Sequence, residues 1–304
     1  MPRLPPADKL PLTVRKDVRD NWESKKEEFD KQLSDVLGES WTFDIDAKNV
    51  YPYGEDRSYA KESTGAMIAE YVSSAVSGIK YYVEKYGDIA KTEINKAAPA
   101  HVITMDFDDH SKVSYCGVTI TPTGQLAMIF KDGNLGSNIS HVTNEEQLNR
   151  ALNNDVADEG LAWQTRLNIA EYFTPKVAGL NKKLSELLKK EYTFDPSFEA
   201  NYAKLKEAKN GDFKENLGYI THSYYEGLID HLSYKKFGSD DMLQEAFNEA
   251  AEEGKVVFRV VDNGKTKKSY GDAIFDGGVL YLQTTPEYYG SNTGQAAEKL
   301  EDEL

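Results

Sequence analysis

Apolar residues recur at helical spacing near the start of the chain. Val14, Val18, Trp22, Phe29, Leu33, Val36 and Leu37 line one face, and Gly38 stands where a left-handed glycine would end the run. The same face returns at an offset of 151 (165 − 14), as Thr165, Ile169, Phe173, Leu180, Leu184, Leu187 and Leu188. Thr174-Pro175 predicts a break in this second helix, with the threonine as N-cap and the proline in the first turn. Each run is followed by an aromatic, β-branched, aromatic segment, Trp41-Thr42-Phe43-Asp44 and Tyr192-Thr193-Phe194-Asp195. Such a segment reads as short and extended, pinned to the core by Phe43 or Phe194, with Asp44 and Asp195 capping the next turn.

A second amphipathic helix carries Met67, Tyr71, Val72, Ala75, Val76, Ile79 and Tyr82. It is matched at an offset of 153 (224 − 71) by Ile220, Tyr224, Tyr225, Leu228, Ile229 and Leu232. Its opposite face is small in the first copy (Ala69, Ser73, Ser74, Ser77, Gly78) and polar in the second (His222, Glu226, Asp230, Ser233). The small face predicts close approach by another backbone, expected from the second copy. A short third helix is predicted from Ile89 to Ala98, beside Met242 to Ala251.

Residues 101–138 then lie against 255–292 without a gap at an offset of 154 (255 − 101). Gly117 falls on Gly271, and Gly136-Ser137-Asn138 falls on Gly290-Ser291-Asn292. Turn signals at Asp108-Asp109-His110 and Pro122-Thr123-Gly124, answered by Asp262-Asn263-Gly264 and Asp276-Gly277-Gly278, divide the block into three strands. The chain reads as a tandem duplication of an α+β unit, three helices followed by a three-stranded antiparallel meander, packed about a pseudo-twofold axis. The expected organisation is an extended Pro-rich arm (1–12), copy 1 (13–138), a linker (139–162), copy 2 (163–292) and a C-terminal acidic helix (293–304). Within the linker, Thr143-x-x-Glu146 resembles a capping box and predicts a helix over Asn144 to Leu152.

Composition narrows the function classes. At 304 residues the chain has room for two domains, and a formal net charge of −15 disfavours nucleic acid and anionic membrane surfaces as partners. No apolar run approaches the roughly 18 residues of a membrane span, and the first residues lack the apolar core of a signal peptide, so a cytoplasmic location is expected. The single cysteine, Cys116, excludes an internal disulfide. The 19 tyrosines suit interfaces, polar-ligand pockets or the rim of a wet core.

Candidate chemistry is sparse. Cys116, with His101, His110 and Asp106, would supply a nucleophile and its helpers to an enzyme confined to copy 1; beside Val118 and Ile120 on one strand face, the cysteine reads first as a small buried hydrophobe. On that face copy 2 shows Tyr270, Asp272 and Ile274, a mixed set. Asp106, Asp108, Asp109 and His110 crowd a turn without the spacing of a calcium loop. His222, Glu226 and Asp230 share a helical face without a second histidine at zinc spacing. No phosphate-binding or nucleotide motif appears, so no metal and no cofactor is expected. The sequence-level expectation is a binding protein with a tyrosine-rich cleft between the copies, for a small or carbohydrate-like ligand or a partner protein. Its expected contacts are Tyr51, Tyr53, Tyr59, Ser137, Asn138, Ser291 and Asn292. The alternatives are the copy-1 enzyme and a self-assembling structural protein.

Overall fold

The repeated apolar faces become helices and the repeated block becomes strands in a computed structural model, which describes residues 3–109, 112–154, 160–209, 213–266 and 270–304. The chain divides into two units, Met1–Asp158 and Glu159–Leu304. Each is a mixture of helices with one four-stranded mixed sheet.

Unit 1 runs α1 (Leu12–Asp17), α2 (Lys26–Leu37), β1 (Thr42–Asp44), α3 (Ala47–Val50), α4 (Tyr59–Glu62), α5 (Thr64–Tyr86), α6 (Asp88–Ala97), β2 (Val102–Phe107), β3 (Cys116–Ile120), β4 (Leu126–Phe130) and α7 (Glu145–Asn154). Unit 2 runs α8 (Trp163–Asn168), α9 (Val177–Leu188), β5 (Thr193–Asp195), α10 (Phe198–Glu207), α11 (Phe213–Tyr234), α12 (Asp241–Ala250), β6 (Lys255–Val260), β7 (Asp272–Asp276) and β8 (Val279–Thr284).

The antiparallel meander is corrected. Strand order is β1-β2-β4-β3 in unit 1 and β5-β6-β8-β7 in unit 2, with the first three strands of each order parallel. Only β3–β4 and β7–β8 are antiparallel. The chain leaving β2 passes over the end of β4 and returns beyond it: Asp108 N donates to Phe130 O on one side (2.9 Å), and Lys131 N donates to Tyr115 O on the other (2.8 Å). Turn-forming residues signal a reversal but not how far the chain travels before pairing. The eight residues 108–115 suffice to cross two strand spacings, roughly 10 Å. The true hairpins are closed by Pro122-Thr123-Gly124, with Gly124 at φ 73°, and by Gly277-Gly278, at φ 56° and 75°.

Pairing also corrects the ungapped offset. Ile103 of β2 pairs with Leu126 of β4 as Val256 of β6 pairs with Leu280 of β8, so β2 maps onto β6 at an offset of 153 (256 − 103). Val118 pairs with Met128 as Ala273 pairs with Leu282, so β3 maps onto β7 at 155 (273 − 118), while the middle strands keep 154 (280 − 126). A slip of one residue exchanges the two faces of a strand. Cys116, Val118 and Ile120 therefore answer to Gly271, Ala273 and Phe275, an apolar set, and the mixed face inferred for copy 2 disappears. Gly117 answers to Asp272 rather than Gly271.

The first helix is interrupted in both units, and in unit 2 the interruption ends in a turn over residues 174–176 that contains Pro175. A π turn, Val18–Trp22 or Ile169–Phe173, separates α1 from α2 and α8 from α9. Thr174 is itself helical, at φ −52° and ψ −45°, so it is no N-cap. The turn carries Trp22 and Phe173 into the cores, 3% and 5% exposed. Against its start lies a glycine of the long helix. A Cβ on Gly65 would stand 2.5 Å from Asp17 O, and one on Gly218 2.6 Å from Ile169 Cα. The residue just before the π turn bonds the long helix in both units: Asp17 Oδ2 accepts from Gly65 N in the first turn of α5 (2.6 Å), and Asn168 Oδ1 accepts from Tyr219 N within α11 (3.0 Å).

Residues 139–154 of the expected linker fall within unit 1. Thr143 does not open a capping box; its hydroxyl donates to Ser74 O and Ala75 O, while Asn144 Oδ1 accepts from Gln147 N at the start of α7. Gly78 of the small helical face lies against this Thr143. Residues 293–304 are not an α-helix but 3₁₀ turns at Thr293–Gln295 and Leu300–Glu303, with Leu300 buried and Glu301 held by His231 (3.2 Å) and Lys235 (3.1 Å). No helix of the described residues is long and apolar enough to cross a membrane.

Candidate functional site

Cys116 lies at the start of β3, 3% exposed, with its Sγ donating to Asn138 O at 3.3 Å. Burial pushes the thiol up to about 11, against the pull of the Tyr71 hydroxyl. The other proposed members of that constellation have partners of their own. His101 stacks on Trp41, ring centroids 5.2 Å apart, and Asp106 is ion-paired with Arg3. His110 falls outside the described residues.

The tyrosines of the 51–59 loop are held by different neighbours. Tyr51 lies beneath the Lys61 ammonium, 4.1 Å from ring centroid to Nζ. Tyr53 stacks on Phe107 at 4.9 Å, and its hydroxyl accepts from Leu4 N at 2.9 Å. Tyr59 donates to Glu70 at 3.2 Å; partial burial, then this carboxylate, raise its phenol above the ordinary range. The two Gly-Ser-Asn stretches form matching turns. Ser137 N donates to Asn134 O and Ser291 N to Tyr288 O, with Asn138 and Asn292 left-handed at φ 50° and 47°. The Gly136 amide donates to Tyr71 Oη at 3.3 Å, and the Gly290 amide faces the buried Tyr224 hydroxyl. Both asparagine side chains are exposed.

Asp106 belongs to a groove of about 580 Å³ on the outer face of the unit 1 sheet, the face turned away from Ile103, Met105 and Phe107. Ala127 and Ile129 of β4 form its floor, with Val113 packed against them from the crossing loop. Thr119 to Pro122 make one end, and Asp106 to Asp109 with Arg3 make the other. Alternation along β2 and β4 places these side chains outward, and Arg150 of α7 fixes the loop by donating to Lys112 O (2.5 Å) and Val118 O (3.0 Å).

The charge in the groove is organised by the N-terminal arm. Ala7 N donates to Lys48 O (2.9 Å) and Leu4 N to Tyr53 Oη (2.9 Å), which carries Arg3 to the carboxyl end of β2. There Arg3 Nη2 pairs with Asp106 (2.6 Å) and Nε with Asp109 (3.3 Å). Partial burial works against the guanidinium charge, but Asp106 and then Asp109 prevail and hold it above its ordinary value. On the opposite flank, Lys112 Nζ donates to Thr119 Oγ1 at 2.8 Å. A second cleft, near Trp22, Ile45 and Lys48, is the seam where the arm lies on the unit. Among the described residues no cluster of three or more His, Cys, Asp or Glu side chains is arranged to hold a metal.

Unit 2 fills the corresponding face. By strand pairing, Arg259, Tyr281 and Gln283 stand where unit 1 has Asp106, Ala127 and Ile129. The Arg259 guanidinium lies 3.9 Å from the Tyr281 ring centroid, and its Nε donates to Gln283 Oε1 at 3.0 Å. Sequence reasoning missed Arg3, Lys112 and the groove floor. One signal was present: Ala127 falls on Tyr281 at the offset of 154, a ring exchanged for a methyl. Comparison with known protein families, curated proteins and solved structures gives no match to this chain.

Proposed function

We propose that the chain is a binding protein built from two copies of one unit, and that unit 1 takes its ligand in the groove above Ala127 and Ile129. The observation that carries this reading is the exchange of Tyr281 for Ala127. One sheet face is closed by its own aromatic ring and guanidinium, and its counterpart is left open with about 580 Å³ between charged walls. An apolar floor with a few oriented polar groups is the usual make-up of a ligand site. A small polar ligand or an extended segment of a partner protein would fit it; this groove within unit 1 replaces the tyrosine-rich cleft between the copies in the reading. Tyr53 enters as the residue that anchors the arm beside the groove.

The test is Ala127→Tyr, which copies unit 2. In a fragment screen read by protein NMR, the wild type should show shifts clustered at Thr119, Ala127 and Ile129. The variant should keep its fold and lose that cluster. Retention of the same hits by folded Ala127→Tyr would overturn the reading.

A further inference from the structure

Both units hold a guanidinium over the same part of the outer sheet face, but they draw it from different places in the chain. In unit 2 it belongs to the sheet: Arg259 of β6 lies on Tyr281 of β8. In unit 1 the equivalent residues are Asp106 and Ala127, so cation and ring are both missing, and a carboxylate stands where the cation was. The arm supplies the replacement as Arg3 on Asp106 at 2.6 Å. Among the described residues that line the groove, none replaces the ring. The fold does not require this guanidinium, since Arg3 and Asp106 side chains are 56% and 41% exposed.

We infer that the unit 1 groove is a site for an arginine side chain carried beside an aromatic ring on a peptide segment, and that Arg3 is an in-chain stand-in which the incoming arginine displaces. This rests on the groove being the binding site proposed above. Asp106 supplies the charged acceptor geometry that a guanidinium fits, and the floor over Ala127 supplies the space that a phenol ring fills in unit 2. The overall charge of −15 favours approach of such a cationic segment. Lys112 does not oppose it from the acidic end, because its ammonium is engaged on Thr119 at the other flank. An exposed ion pair is weak, so the arm is a displaceable occupant rather than a seal.

The probe is N-acetyl-Arg-Tyr-amide, titrated calorimetrically into the full chain at low ionic strength, with the citrulline analogue as its uncharged control. Arg3→Ala should bind the probe about fivefold more tightly than wild type, because the competing occupant is gone. Asp106→Asn should bind it about tenfold more weakly, and the citrulline analogue should lose a similar factor in wild type and Arg3→Ala but bind Asp106→Asn about as well as the arginine probe does. Equal affinity of Arg3→Ala and wild type would overturn the inference, as would equal binding of the citrulline analogue to wild type or no binding to any variant. If neutral fragments are lost on Ala127→Tyr while the probe ignores Asp106, the cation inference fails and the groove remains. If Ala127→Tyr binds the probe as well as wild type does, both fail.

Discussion

Two titrating residues show how position governs chemistry. A thiol held up to about 11 is almost wholly protonated at neutral pH, and the thiolate is the reactive form. Cys116 should therefore resist a thiol reagent at pH 7.5 in the native protein and react at the rate of a free thiol in 6–8 M urea, roughly the range that unfolds most domains. Fast native labelling would contradict the burial. His222 behaves in the opposite sense. Burial lowers it from 6.5, the nearby Glu226 carboxylate offsetting only part of the effect and Lys176 and Lys183 adding to it. Between its folded value and 6.5 the unfolded chain binds the extra proton, so stability is complete above 6.5 and declines as pH falls through that interval. Urea midpoints measured at successive pH values should fall across that interval in wild type and flatten in His222→Gln.

At the scale of elements, the helices were legible because their apolar faces repeat every three to four residues in both units, and β1 because Trp41-Thr42-Phe43 is an aromatic, β-branched, aromatic run. The sheet order was not. Turn chemistry at Asp108 or Asn263-Gly264 is the same whether the chain pairs at once or crosses a strand first, and only the bonds from Asp108 to Phe130 and from Lys131 to Tyr115 decide it. The same gap hid the groove. With β2 read one residue out of step, Asp106 was compared with Val260 instead of Arg259. The π turn was also invisible, since the glycines packed against it, Gly65 against Asp17 and Gly218 against Ile169, are far from it in sequence. This contact is testable: a Cβ at 2.5 Å from backbone has no flexible neighbour to yield, so Gly65→Ala should cost about 1–3 kcal/mol in urea unfolding. A neutral result would mean that the two helices can separate freely.

At the scale of the whole molecule, unit 2 has its own continuous core. Leu184, Leu188, Tyr225, Leu232, Phe247, Phe258, Leu280 and Leu282 are each essentially inaccessible to solvent, and among the described residues the cluster they belong to begins at Leu161. A fragment spanning 160–304 should therefore give a helical circular-dichroism spectrum and a single cooperative urea transition; a broad, sloping loss of signal would show that it leans on the rest of the chain. The arm of unit 1 answers to a different variable. Its backbone anchors at Lys48 and Tyr53 are neutral hydrogen bonds, but its tip is held by charge at the surface, where counter-ions screen such pairs over about 8–10 Å at physiological ionic strength. Dissolved salt therefore acts as a rheostat on the tip of the arm: raising it weakens the hold of Asp106 on Arg3, while the neutral bonds to Lys48 and Tyr53 are left as they are.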